Sequence, residues 1–360
     1  MFEELGFETL TAPEAVVYFA LAIGVAFGIL AQITKFCFRR TLIGDDSRAA
    51  AGVWFTALAV AVAGTQAAVA AGVIEFSDHR LLAGDLPWLA IVIGGLLFGA
   101  GMVLTRGCVS RLTVLGGSGN LRALTVLVVF AITAHTTMKG LFAPLRTALG
   151  SVTVSLGDMT SLAALPGGVW LYTTAIIAAA VIIAARSGVR PTMLIAAALL
   201  GALVPLAWVG TGFVLYDDFD VIPVESLSFT RPASDTLFWT IAGTSISPSF
   251  GTGLIGGVLL GALAASLATG TFVWQSFESA AQTGRYMGGA ALMGIGGVLA
   301  GGCTVGSGLS GVPTLSVAAL LAIGTMAAGA WITNALLTRP TQYAGAASAQ
   351  RPTQAGPQAA

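Results

Sequence analysis

The chain has 360 residues, of which 56% are hydrophobic and only 9% charged, with a formal net charge of zero and a mean hydropathy of +0.89. A soluble domain carries about a quarter charged residues, so this composition excludes a water-coated globule, and the absence of a basic excess excludes a nucleic-acid partner. The two lysines, Lys35 and Lys139, sit in no Gly-Lys-Ser/Thr loop, which excludes a phosphate-loop motor.

The first segment, residues 1–14, carries four acidic residues and no basic one. That is the wrong charge for a secretory signal, so no cleavage is expected. Apolar runs of bilayer-spanning length, roughly 20 residues each, predict helices near 15–34, 51–73, 87–105, 121–138, 168–185, 192–210, 252–268, 285–300 and 314–337. Shorter apolar pieces near 140–150, 159–165 and 236–247 read as half-helices or re-entrant segments. The tail from about Thr338, rich in Ala, Gln, Pro and Thr, reads as disordered. The expected division is an acidic segment 1–14, a first transmembrane repeat 15–150, connecting helices with an acidic outer loop 151–235, a second repeat 236–337 and a tail 338–360.

Basic residues in short loops set orientation. Lys35, Arg39, Arg40 and Arg48 follow the first helix, Arg186 and Arg190 lie between two later ones, and Arg339 and Arg351 follow the last. Asp217, Asp218, Asp220, Glu225 and Asp235 occupy one long loop. This predicts an N-terminus outside and a C-terminus in the cytoplasm.

An internal repeat is the most informative feature. At an offset of 195, Gly94, Gly99, Gly101, Val103, Leu104, Gly107 and Cys108 fall on Gly289, Gly294, Gly296, Val298, Leu299, Gly302 and Cys303, and Gly116 falls on Gly311. The first helix matches similarly, with Gly24, Gly28, Leu30 and Ala31 over Gly257, Gly261, Leu263 and Ala264. Both copies read as helix, break, short segment, break, helix. Asn120 is placed as the N-cap of one following helix and Pro313 in the first turn of the other. Matching broken helices in two halves point to a transporter site near the bilayer midplane, because irregular backbone at that depth must line protein or water.

Cys108 and Cys303 are equivalent under the repeat. A thiol is a weak donor with a polarizable sulfur, suited to holding a soft sulfur anion loosely. Cys37 has its approximate counterpart near Gly270 and is not duplicated. Arg106 and Arg111 flank the first break, either as anion contacts or as partners of lipid phosphate. Arg122 and Lys139 read as topology determinants, His135 as an interhelical hydrogen-bonding residue and His79 as a solvated loop residue. Three cysteines are an odd number for a disulfide framework and too few and scattered for a structural zinc site. No metal or cofactor is expected.

Phe36-Cys37-Phe38-Arg39-Arg40, Gly99-Ala100-Gly101-Met102 through Arg106-Gly107-Cys108, and Gly294-Ile295-Gly296 through Gly302-Cys303-Thr304-Val305-Gly306-Ser307-Gly308 resemble the YeeE/YedE family of bacterial inner-membrane thiosulfate transporters. The resemblance runs from about residue 17 to 337. It implies an all-α polytopic membrane protein, an inverted repeat shaped like an hourglass, with re-entrant or broken half-helices meeting at the centre. It also implies a positively charged outer concavity and passage of thiosulfate past Cys108, Cys303 and Cys37 by transient S–H···S hydrogen bonds, with Gly107, Gly302, Arg106 and Arg111 beside them. A TusA-like sulfur carrier would be a separate chain, since no soluble domain follows residue 337. Alternatives are a membrane thiol oxidoreductase or sulfurtransferase using the same cysteines, a structural subunit, or a transporter of selenium or another sulfur species.

Overall fold

A computed structural model describes residues 11–338 apart from 78, 158 and 218. The expected acidic segment thus lies outside the described residues except for its last four, and the expected tail lies outside them except for Thr338. Among the described residues the chain is all-α but for a two-residue antiparallel ladder, β1 (Asp85–Leu86) with β2 (Val154–Ser155), and isolated bridges. Among the described residues, nine helical segments are long and apolar enough to cross a membrane.

Thirteen α-helices follow in chain order among the described residues. α1 (Ala12–Thr34), α2 (Phe38–Ile43) and α3 (Ser47–Ala70) open the chain. α4 (Trp88–Leu104), α5 (Val109–Gly117), α6 (Leu121–Lys139) and α7 (Ala143–Gly150) follow. α8 (Gly168–Ala185) and α9 (Pro191–Val209) lead to α10 (Thr230–Ala242). α11 (Phe250–Ala268), α12 (Ala280–Leu299), a π segment (Thr304–Gly311), a 3-10 turn (Val312–Thr314) and α13 (Val317–Thr338) complete it.

Every long apolar run is a helix near its expected place. Three details differ. α10 begins at Thr230 rather than near 236, because Arg231, Ser234 and Asp235 hide its first turns from a search for apolar runs; it also crosses the expected 235/236 boundary. The piece near 159–165 contains only a 3-10 turn, Leu162–Ala164. Pro313 sits in its own 3-10 turn, set off from α13 by Leu315 in the left-handed region (φ 59°). Asn120 does cap α6, accepting from the Ala123 N–H at 3.0 Å.

Glycine governs how the helices approach, since small residues let backbones touch. A Cβ on Gly101 would stand 2.4 Å from the Gly289 carbonyl oxygen, and one on Gly296 would stand 2.6 Å from that of Gly94. The repeat-matched glycines therefore face one another, and α4 and α12 run antiparallel. Gly99 packs on Met326 and Ala330 of α13, while its match Gly294 packs on Phe130 and Ala134 of α6. α1 and α11 run parallel instead: Gly24 meets Leu254 and Gly257, and Gly28 meets Val258 and Ala262. α3 and α9 also run parallel, with Gly201 against Ala57 and Gly64 against Pro205. The sequence match of α1 over α11 thus joins two helices that pack side by side in the same direction. Their shared glycines serve that contact, in contrast to the antiparallel α4 and α12.

α8 buries only Thr173 and Ala180. With Trp170 62% and Leu171 53% exposed, its remaining surface is apolar and suited to lipid.

Candidate site at the converging helix breaks

Three helices break in the same way. Lys35 (φ 52°), Arg106 (φ 58°) and Gly301 (φ 75°) enter the left-handed region, and each lies two residues before a cysteine. This conformation costs a non-glycine residue roughly 1 kcal/mol, so a tertiary demand holds Lys35 and Arg106 there. Cys37 then caps α2, Cys108 caps α5 and Cys303 caps the π segment, all with extended backbone. A fourth short helix, α10, has Phe229 at its cap.

These caps meet. The Cys37 and Cys108 thiols are neighbours, and Cys303 lies near Cys108. Cys108 Sγ shares a 3.2 Å hydrogen bond with Ser110 Oγ. The Thr304 hydroxyl approaches Cys108 too, but without the alignment of a full hydrogen bond. Cys303 Sγ accepts from the Gly306 N–H at 3.3 Å and faces the Phe229 N–H. Cys37 and Cys108 approach the N–H groups of Arg40 and Arg111, three residues on, without closing a full cap. All three sulfurs are buried. Each therefore faces the positive end of a helix.

Gly107 and Gly302 are buried at the breaks, and a Cβ on Gly302 would stand 2.7 Å from Ser307 Oγ. Arg111 lies close to Cys37, Cys108 and Arg40. Its Nη1 is buried without a hydrogen-bond partner among the described residues, as is Arg39 Nε. Arg106 is exposed and contributes its backbone turn to the break.

On the other side of the thiols lies a cavity of about 440 Å³, reaching from His79, Arg80 and Trp208 to Gly306 and Ser310. Arg80 Nη1 donates to the Gly301 carbonyl at 2.9 Å, pinning the break before Cys303. Arg231 is paired with Asp235 at 3.2 Å and Glu225 at 3.9 Å, whereas Arg80 has no carboxylate at ion-pair distance among the described residues. His79 is not a solvated loop residue. Its ring packs edge-on to Trp208 and Phe76, and its Nδ1 accepts from the Leu81 N–H. Burial, with Arg80 adding to it, lowers its pKa to about 4. Burial also raises the Glu225 pKa. His135 is interhelical as expected, at 3.1 Å from Ser234 and stacked on Phe238. Arg122 bonds Gln275 at 2.9 Å and Glu278 at 3.4 Å.

The nine long apolar helical segments among the described residues define a multi-pass membrane protein. Residues 26–332 match the Sulphur transport family, and the chain belongs to it. It is similar to the thiosulfate transporter TsuA of Escherichia coli (strain K12), at 25% identity over 91% of this chain and 97% of that protein. It is also similar to the thiosulfate transporter TsuA of Spirochaeta thermophila, at 28% identity over 88% of this chain and 97% of that protein.

Proposed function

We propose that this chain carries thiosulfate, or a closely related sulfur anion, across the bacterial inner membrane through a constriction built by Cys37, Cys108 and Cys303. The observation that carries the reading is the meeting of three buried thiols from three separate helix breaks. The anion would collect in the cavity beside Arg80, shed water, pass from thiol to thiol by transient S–H···S hydrogen bonds, and leave beside Arg111 and Arg106. Unsatisfied donors support that route, since a buried polar group without a partner calls for an explanation. Trp208 Nε1 belongs to a residue of the outer cavity, Thr230 Oγ1 and Thr304 Oγ1 lie near the caps, and Arg111 Nη1 lies beyond them.

In this reading α4–α6 and α12–α13 are inverted copies, supported by the antiparallel contact of α4 and α12. The N-terminus is outside and the C-terminus cytoplasmic, supported by the gathering of Lys35, Arg39, Arg48 and Arg186 at one end, where Arg48 Nε donates to the Arg186 carbonyl at 2.8 Å. A separate TusA-like carrier would receive the sulfur at that end.

The test is uptake of labelled thiosulfate into liposomes, with sulfate, sulfite and selenate as competitors. Cys108→Ala and Cys303→Ala should each abolish uptake while membrane insertion stays intact. Normal transport by both single variants would remove the thiol mechanism. The closeness of Cys37 to Cys108 favours one second reading, covalent sulfur transfer, in which a cysteine thiolate takes the outer sulfur of thiosulfate as a persulfide while the S–S bond of thiosulfate breaks and sulfite leaves. That reading requires a persulfide or disulfide species by mass spectrometry during turnover.

A further inference from the structure

The fourth cap in the central cluster carries a benzene ring instead of a sulfur. Phe229 is fully buried, and its ring centroid lies 5.3 Å from that of Phe27, which is also fully buried. Phe27 in turn meets Phe36 nearly edge-on at 6.2 Å. Phe36 directly precedes Cys37, and the Phe229 N–H faces the Cys303 sulfur. Three rings from α1, the first break and the segment before α10 thus form one continuous apolar group, with Phe36 next in sequence to Cys37 and Phe229 on the residue whose N–H faces Cys303.

We propose that Phe27, Phe36 and Phe229 form a collar that sets selectivity, refusing anions that must keep their water and admitting those with a soft sulfur end. The inference rests on the transport reading above. Its physical basis is the cost of dehydration. A polar group moved out of water needs replacement hydrogen bonds, and the rings offer none. Sulfate presents oxygen on every side, so some of its oxygens must face a ring. Thiosulfate can turn its terminal sulfur, larger and more polarizable, against the ring edges, which carry partial positive charge. Its three oxygens then remain with the hydroxyl, amide and guanidinium donors. The thiols alone do not supply this discrimination, because a thiol is a weak donor to either anion.

The experiment compares labelled thiosulfate and labelled sulfate uptake by full-length protein in liposomes, for the wild type, Phe27→Ala, Phe229→Ala and Phe229→Tyr. Opening the collar should raise sulfate uptake, so that the thiosulfate-to-sulfate ratio falls about tenfold, the range expected when an apolar wall is changed. Phe229→Tyr keeps the bulk of the ring while adding a hydroxyl, and covers the case in which truncation prevents folding. It should also raise sulfate uptake. Continued exclusion of sulfate by folded variants that still take up thiosulfate would overturn the collar alone. A wild type that takes up no thiosulfate would overturn the transport reading beneath it.

Discussion

Cys37 and Cys108 are neighbouring buried thiols, although each belongs to a different helix break. Their nearness brings the caps of α2 and α5 together. Serine at position 108 would keep a small cap with a donor and an acceptor, but not the soft sulfur. Cys108→Ser should therefore reach the membrane normally and lose about tenfold or more in thiosulfate uptake, the effect of roughly 1.4 kcal/mol on a barrier. Wild-type uptake by this variant would show that any small polar cap suffices.

The glycine contacts predict stability directly. At Gly101 an added methyl would meet the Gly289 carbonyl at 2.4 Å, a backbone atom that cannot swing away. Gly101→Ala should destabilise the protein by about 1–3 kcal/mol, the usual cost of overpacking. Gly324, on α13, has open space where its Cβ would be, and Gly324→Ala should shift the melting temperature in detergent little or slightly upward. Equal shifts for the two would refute this account of the packing.

Stability should respond to acid through His79. Its pKa is lowered to about 4 from an ordinary value of 6.5, so the folded chain binds fewer protons than the unfolded chain between those values. Its contribution is therefore complete above about pH 6.5 and is lost as the pH falls towards 4. Glu225 acts with the opposite sign: burial raises its pKa, and its contribution is lost as the pH rises through that value. His79→Phe should flatten the loss of melting temperature between pH 6.5 and 4. An unchanged slope would exclude His79 as its source.

Arg111 separates function from fold. Its buried Nη1 has no protein partner among the described residues, and a buried charge without full pairing rarely stabilises a structure. Arg111→Met should melt at or above the wild-type temperature while the thiosulfate concentration needed for half-maximal uptake rises several-fold. A large drop in melting temperature would make Arg111 a structural residue instead.

The helices were legible because a bilayer demands long apolar runs, and Cys108 and Cys303 because the Gly-Cys pairs recur at one offset. Cys37 was singled out as well, through the resemblance of its motif, although its place in the cluster depends on Lys35 turning left-handed, and nothing local in lysine calls for that. Other residues around the thiols were hidden for physical reasons. Phe229 reads as one apolar residue in a polar loop, since its significance lies in capping α10 beside Cys303. Arg80 and His79 read as loop residues because the wall they complete comes from Trp208 and the segment around Glu225, more than a hundred residues on. The match of α1 over α11 has a simple physical counterpart: glycines four residues apart mark a close helix contact, and these two helices pack on each other.

The crossed packing of α4 on α12 and α13, and of α12 on α6, has a consequence for biosynthesis. Neither half owns a finished interior, so a nascent chain stalled after α9 leaves the notched faces of α1 and α4 bare in the lipid. Assembly must then wait for the last helix to leave the ribosome, and products cut short before it should be substrates for membrane quality control.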